Sequence, residues 1–378
     1  MATLPYPILL AVNDYHPVTL YGSSISYFTG KMENYFNVKE IPYSFKPMRF
    51  PSFKKTMIEK VGVQQMPAVV LKDGRWMTDT TKMIQWFESK YPEHRIIPGN
   101  STQAFLCYLI EDWADEWWWR PAMHYRWFYE GGARFASWHL ANEVLGGMRL
   151  PIWFKRRYIQ RRQRNGYTIG DGIDSSNIKY VEQDFLSLLK ILEDIFSPRK
   201  FLFGSKPSLG DIGLSGPFFR HFALDPAPLE IIKQKAPNVL SWVSNLWKYR
   251  VSSDDGEWLD YIPQDIEPLI QEIGKTYLPY LNENVSAVRQ NKKTFNFIND
   301  QVSFKNVRYS LYRVWCLKEL REHFQDASKD SQSILKDLLH RNGSWMPLWE
   351  QEDLPIDKHF ESNLPFKAES KMIGVYEK

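Results

Sequence analysis

The segment VGVQQMPAVVLKDGRWMTDTTKMIQWFESKYP, Val61 to Pro92, decides how the chain is read. "AVVL" has the make-up of a buried strand, yet Pro67 stands at its mouth. Proline donates no N–H to a ladder, so within sheets it is confined to edges, first positions and bulges. Asp73-Gly74 marks a hairpin turn into a second short strand. Met83, Ile84, Phe87 and Tyr91 then fall on one face of a helix spanning Thr80 to Tyr91.

Upstream, "VTLYGS" reads as a strand, "YFTGKMENYFNV" as a helix, "IPYSFKPM" as a strand and "SFKKTMIEKVG" as a short helix closed by Gly62. The order is strand, helix, strand, helix, strand, strand, helix. Two parallel strands joined by a right-handed crossover, followed by a hairpin, give a mixed four-stranded sheet flanked by helices. That is the thioredoxin-like plan, expected over 18–98 after an N-terminal extension, 1–17.

Downstream, "IIPGNSTQ" reads as a linker, 99–103, and strand signals nearly vanish from 104 to 250. Helices are expected at 103–129, 133–147, 176–196, 209–224 and 236–250. "PSLGD" is a capping box in acidic form, with Ser208 as N-cap and Asp211 at the third helical position. The C-terminal extension, 251–378, reads as mostly helical. "DIEPLIQEIGKTYLPYL" has helical periodicity bracketed by Pro268 and Pro279. "TFNFINDQVSFKNV" alternates as a hairpin turning at Asn299-Asp300, helices follow at 309–324 and 331–341, and 350–378 reads as mostly irregular.

Composition sets the bounds. The 378 residues are 43% apolar and 24% charged, the balance of a soluble globular protein. Aromatics reach 15%, with 15 Trp, which suits helices packed through large side chains or a roomy apolar ligand site. A net charge of +4 does not announce a nucleic-acid binder. Cys107 and Cys316 make no disulfide framework. The opening residues lack a basic leader and no run approaches a membrane span, so a cytoplasmic location is the expectation.

Five segments in order resemble the soluble glutathione transferase family: "LYGSSISYFTGKM", "QQMPAVV", "TDTTKMIQWFESKYP", "PSLGDIGL" and "APNVLSWVSNLW". The resemblance covers roughly 18–250. It implies an α/β thioredoxin-like domain, an all-α second domain, glutathione as co-substrate, no metal, and a homodimer. It also implies a reason for Pro67. In the family this proline is cis, a form seldom adopted without a positional reason, and the main-chain N–H and C=O of Met66 then face a cysteinyl peptide as an added strand would.

The same resemblance assigns further roles. Thr80 and Asp79, at a helix start with free N–H groups, would meet the γ-glutamyl carboxylate and ammonium; alternatively they only cap the helix. Arg49 would face the glycine carboxylate; alternatively it is a solvated surface residue. Ser26 matches the activating hydroxyl of Ser-type members, although Tyr27 and Gly30-Lys31 replace the usual Pro and Arg. Ser23, Ser24, Tyr21 and Tyr27 are its rivals. A free thiol is only a few per cent thiolate at neutral pH, so a hydroxyl donor at a helix amino end raises the nucleophilic fraction. No cysteine lies in the first domain, which argues against mixed-disulfide reduction.

For the apolar electrophile, Trp113, Trp117, Tyr125 and Trp127 are candidates for pocket lining; alternatively the stripe is core or subunit contact. Glu111, Asp112, Asp115 and Glu116 lack a metal-binding pattern and read as a solvated acidic face. "RLPIWFKRRYIQRRQRNG" interleaves aromatics with seven basic residues, as in a nucleic-acid or anionic-membrane patch. Its competing reading is a solvated helix face or subunit contact, compensated by "EDWADE". A catalytically silent binding protein on the same fold is the alternative function.

Overall fold

A computed structural model describes residues 15–252, 256–299, 302–357 and 359–368. Most of the expected N-terminal extension, Asp300 of the expected turn, and 369–378 lie outside them.

Strands β1 (Val18–Gly22) and β2 (Tyr43–Pro47) are parallel, Val18 opposite Tyr43, and α1 (Tyr27–Lys39) connects them. Helix α2 (Ser52–Val61) leads to β3 (Ala68–Val70), antiparallel to β1 with Ala68 opposite Tyr21. β4 (Trp76–Met77) pairs with β3, and α3 (Thr80–Lys90) closes the unit. The sheet order is β2-β1-β3-β4, the thioredoxin-like arrangement. β3 begins only after Pro67, so the ladder never asks for the missing N–H. Leu20, Val69 and Met77 are buried, and Phe36 of α1 meets Phe87 of α3 edge-on with centroids 5.3 Å apart.

Asn100 caps α4 (Ser101–Trp117), its side chain accepting from Thr102 N at 2.9 Å. The single helix expected over 103–129 is in fact two, because α5 (Trp119–Phe128) starts afresh after Trp118. Pro121 explains the break: an unbroken helix would need its N–H at the Trp117 carbonyl and would drive its ring into that group. α6 (Glu130–Glu143) and α7 (Ile152–Gln163) pack side by side, and α7 runs on through a π turn. α8 (Ile178–Phe196), α9 (Leu209–Pro217), α10 (Pro226–Lys235) and α11 (Pro237–Lys248) complete the domain. The capping box stands at the start of α9. Asp211 accepts from Ser208 N (2.8 Å), Leu202 N (3.0 Å) and Trp242 Nε1 (3.0 Å), so its carboxylate is satisfied without solvent. Gly213 brings α9 onto α4: a Cβ there would lie 2.5 Å from Glu111 Cα.

The extension continues the same core. α12 (Glu267–Lys275) and α13 (Tyr277–Arg289) bury Leu269, Ile270, Ile273 and Tyr277 with the apolar face of α8. Pro268 and Pro279 sit in the first turns of α12 and α13, where no intrahelical N–H is needed, so they start helices instead of bracketing one. β5 (Thr294–Asn299) and β6 (Val302–Arg308) form the expected antiparallel pair. α14 (Leu311–Asp326) lies against α4, and α15 (Lys329–Arg341) and α16 (Trp345–Trp349) follow. The tail then returns to the first domain, where Thr78 N donates to Pro365 O and Ala368 N to Val61 O, each at 2.8 Å. No helix among the described residues is long and apolar enough to cross a membrane.

Candidate functional site

A cleft of about 330 Å3 runs between the two domains. One wall carries Ser26, Met66, Pro67, Asp79 and Thr80; the other is made by α5, α6 and α7, with Tyr312 of α14 joining at the side.

Ser26 is the N-cap of α1. Its Oγ accepts from Thr29 N at 3.4 Å, which leaves the hydroxyl proton free to donate at a helix amino end. Its rivals are committed elsewhere. Ser23 Oγ donates to Glu143 Oε2 at 2.7 Å, and Ser24 Oγ donates to the same carboxylate. Tyr27 OH donates to Ala114 O at 2.6 Å, and burial holds its pKa well above the ordinary value. Tyr21 stacks on Trp76 with centroids 5.4 Å apart.

The Met66–Pro67 peptide bond is cis. Met66 main-chain atoms make no hydrogen bond among the described residues, and the residue opens onto the cleft. At the amino end of α3, Asp79 has a left-handed φ of 73° and its Oδ1 accepts from Lys82 N at 2.9 Å. Its Oδ2 is buried and has no partner. Burial pushes the Asp79 carboxyl above its ordinary pKa, opposed by the Lys82 N–H, the Tyr312 phenol and Lys31. The N–H groups of Thr80 and Thr81 open the helix and have no intrahelical acceptor.

Below this wall the acidic run of α4 is buried, not solvated as the sequence suggests. Lys31 of α1 is fully buried and pairs with both Glu111 and Asp115. Burial alone would lower its pKa, but Asp115 and Glu111 more than offset that and hold it above the usual lysine value. Glu116 takes Arg313 Nε of α14 at 2.8 Å, and Asp112 accepts from Tyr277 OH at 2.7 Å. The reason is geometric: with α9 seated closely on one side of α4 and α14 on another, each carboxylate meets a cation or a phenol from a different element. Among the described residues no His, Cys, Asp and Glu group has a metal-binding arrangement. Asp115 Oδ1 stays without a partner and Asp115 lines the cleft. Two unpaired buried carboxylate oxygens, on Asp79 and Asp115, thus belong to residues of one cleft, suited to a cationic group of a ligand.

The opposite wall corrects the expected pocket. Trp113, Trp117 and Tyr125 do not line the cleft. Trp113 packs edge-on against Trp118 (5.3 Å), Trp117 donates to Asp184 Oδ2 at 3.1 Å, and Tyr125 packs on Phe185 (5.0 Å). Trp127 does line it, together with Trp119 and Met123. These three recur every fourth residue on α5, one helical face. That periodicity was open to sequence reading; the phase shift at Trp118 hid it by rotating α5 relative to α4. Arg49 is exposed and outside the lining, whereas its neighbour Phe50 donates its N–H to Val144 O at 2.8 Å and lines the cleft.

Three contributors carried no local signal. Arg126 of α5 is buried and donates from Nη1 to Ile25 O at 2.6 Å while its Nε pairs with Asp225 at 2.8 Å, tying the Ser26 loop to the second domain. Burial raises Asp225 to about 6 against the pull of Arg126. Glu143 clamps Ser23 and Ser24, and Tyr312 comes from the extension. Cys107 and Cys316 are buried away from the cleft, and burial pushes the Cys107 thiol up to about 12.

Two domains of these types meet at a cleft with an open strand-like edge on one side and an apolar wall on the other. Residues 20–95 match the family model of the glutathione S-transferase N-terminal domain, and 153–244 match that of the C-terminal domain. The two matches, in order and on the two domains that frame the cleft, support placement in the glutathione transferase family. Among solved structures, the chain is similar to the beta-etherase LigF from Sphingobium sp. strain SYK-6, at 17% identity over 61% of this chain and 94% of that one, TM-score 0.43. A glutathione S-transferase from Rhodospirillum rubrum F11 gives 18%, 65%, 96% and 0.39. One from Methylobacterium radiotolerans, in complex with glutathione sulfonate, gives 15%, 65%, 98% and 0.37. The search of curated proteins gives no match.

Proposed function

We propose that this chain is a glutathione-dependent transferase that activates the glutathione thiol for attack on a small apolar electrophile. The observation that carries the reading is the shared cleft. Ser26, the unpaired Met66 main chain and the Asp79-Thr80 helix start line one wall, opposite Trp119, Met123 and Trp127.

The roles follow from the groups present. The N–H and C=O of Met66 pair with the cysteinyl residue. The amino end of α3 and the Thr80 hydroxyl take the γ-glutamyl carboxylate, and the unpaired oxygens of Asp79 and Asp115 take the ammonium. Ser26 Oγ–H donates to the sulfur, and the α1 amino end favours its negative charge, so thiolate forms at neutral pH. The thiol proton passes to water, and the thiolate forms an S–C bond to the electrophile held on α5 as a leaving group departs with its bonding pair or as the attacked double bond passes its electrons to an atom that takes up a proton from water. In a homodimer, a partner approaching α3 and α4 would meet α14 and the tail first, since Lys82 of α3 pairs with Glu361 of the tail at 2.9 Å and Arg313 covers Glu116.

Two measurements test this. The wild type is expected to be retained on glutathione-agarose; no retention sinks the glutathione reading. In a thiol-conjugation assay at neutral pH Ser26→Ala should lose up to ~25-fold in rate, the fall in thiolate fraction as the thiol pKa returns from about 6.5 to the free value of about 8.5, with retention near normal. Equal rates would remove Ser26 from the chemistry. Retention without any conjugation would instead favour a silent binding protein.

A further inference from the structure

The turn before helix α7, the helix itself and the first residue of the π turn after it carry seven basic residues from Arg149 to Arg164. The sequence offers "EDWADE" as their counter-charge, but those carboxylates are spent on Lys31, Arg313 and Tyr277. None of the seven forms an ion pair among the described residues, and Arg149, Arg157, Arg161 and Arg162 are exposed. Interleaved with them is an apolar tip. Leu150 is 41%, Ile152 42%, Trp153 66% and Phe154 47% exposed, and Trp138 of the adjacent α6 is 52% exposed. A near-continuous run of large exposed apolar residues is not tolerated on a water-facing surface without a use.

We propose that the turn at Leu150 and the first half of α7 form a docking surface for an anionic phospholipid bilayer. The pairing of groups selects this occupant. Bulky aliphatic and aromatic tips enter the headgroup and acyl boundary, tryptophan favours that interface, and arginines beside them meet lipid phosphates. Nucleic acid would satisfy the arginines but leave Leu150, Ile152 and Phe154 in water. A second copy of the chain, docked face to face, would set the uncompensated arginines against each other. The same helix supplies Tyr158 and Ile159 to the cleft wall. Docking therefore brings the apolar half of the cleft beside the bilayer, where apolar electrophiles concentrate. That consequence rests on the transferase reading; the docking does not.

The test is sedimentation of the full chain with phosphatidylcholine vesicles, with and without phosphatidylserine. Binding is expected only with phosphatidylserine, falling as salt is raised. Arg157→Glu/Arg161→Glu should weaken partition by about tenfold or more, since each basic residue near the surface contributes roughly fivefold. Trp153→Ala/Phe154→Ala should weaken it comparably. None of these four lines the cleft, and circular dichroism melts check that both variants fold. The proposal is overturned by no binding to either vesicle, by equal binding to neutral vesicles, by variants that bind like wild type, or by a preference for duplex nucleic acid that ignores Trp153 and Phe154.

Discussion

The first-domain wall of the cleft presents the Met66 main chain, two helix amino ends and the Ser26 hydroxyl among its lining residues, whereas the second-domain wall presents the side chains Trp119, Met123 and Trp127 of α5, Leu140 of α6 and Tyr158 and Ile159 of α7. The first wall is made by sheet register: Ala68 opposite Tyr21 sets where Met66 falls, and the start of α3 sets where Asp79 and Thr80 fall. The second wall is made by the rotation of a helix about its axis. A backbone site survives most side-chain changes, while a one-residue phase shift turns a helix by about 100° and changes every residue on the wall. Between the two lies a buried ionic seam, Lys31 with Glu111 and Asp115, that belongs to both.

Breaking that seam should have the largest effect. Lys31→Met removes the cation shared by two buried carboxylates, Glu111 and Asp115. The expected loss is at the upper end of ~3–5 kcal/mol, because the cost is mostly that of leaving buried charge unpaired. Urea unfolding measures it, and adding Asp115→Asn should restore part of the loss as a coupled pair would. A change under ~1 kcal/mol would mean water already reaches these groups and the domains are not joined there.

The contrast between core and wall tryptophans comes next. Trp113→Ala opens a cavity in a fully buried cluster and should cost about 3 kcal/mol or more. Trp119→Ala, at the cleft surface, should cost about 1 kcal/mol and instead raise KM for an apolar electrophile severalfold while leaving the glutathione KM alone. Reversed outcomes would restore the lining expected from sequence and move the electrophile site onto α4.

That reversal would matter because it marks where sequence stops being informative. The first domain was readable because strand and helix alternate in short units whose turn residues, Asp73-Gly74 and Gly62, are explicit, and because Pro67 makes sense in few places. The capping box at Ser208-Asp211 was readable for the same reason: the bonds are local. The faces of α4 and α5 were not, since the pattern in 103–129 is apolar nearly all round and only the effect of Pro121 on Trp117 separates the two helices. Glu143, Arg126 and Tyr312 act across more than a hundred residues of sequence, on the Ser23-Ser24 loop, Ile25 and the Asp79 end of the cleft. Nothing within a helical turn of each of them announces that. The burial of Glu111, Asp115 and Glu116 was invisible likewise, because their cations come from α1 and α14.

The smallest effect expected tests whether the second wall is backed by a dry core. Asp184 of α8 is buried behind it, accepting from Trp117 Nε1. Burial, with Glu272 adding to it and Trp117 and Arg120 opposing, raises its pKa to about 8. A carboxyl raised in the folded state binds its proton more tightly there than in the unfolded chain, where the value is about 4. Its contribution to stability is therefore complete below about pH 4 and is lost as pH rises through about 8. The melting temperature should fall between about pH 4 and about pH 8 and level off above that, where both states are ionised, and Asp184→Asn, which still offers Trp117 an acceptor, should remove ~1–2 kcal/mol of that loss. Glu319, raised by burial to about 7 against Lys82, adds a decline that ends near pH 7 and stays in the variant, so the two curves should part steadily from about pH 4 to about pH 8 and run parallel above it. If wild type and variant keep parallel pH profiles, Asp184 ionises freely, water reaches it, and the wall behind Trp117 is solvated rather than packed.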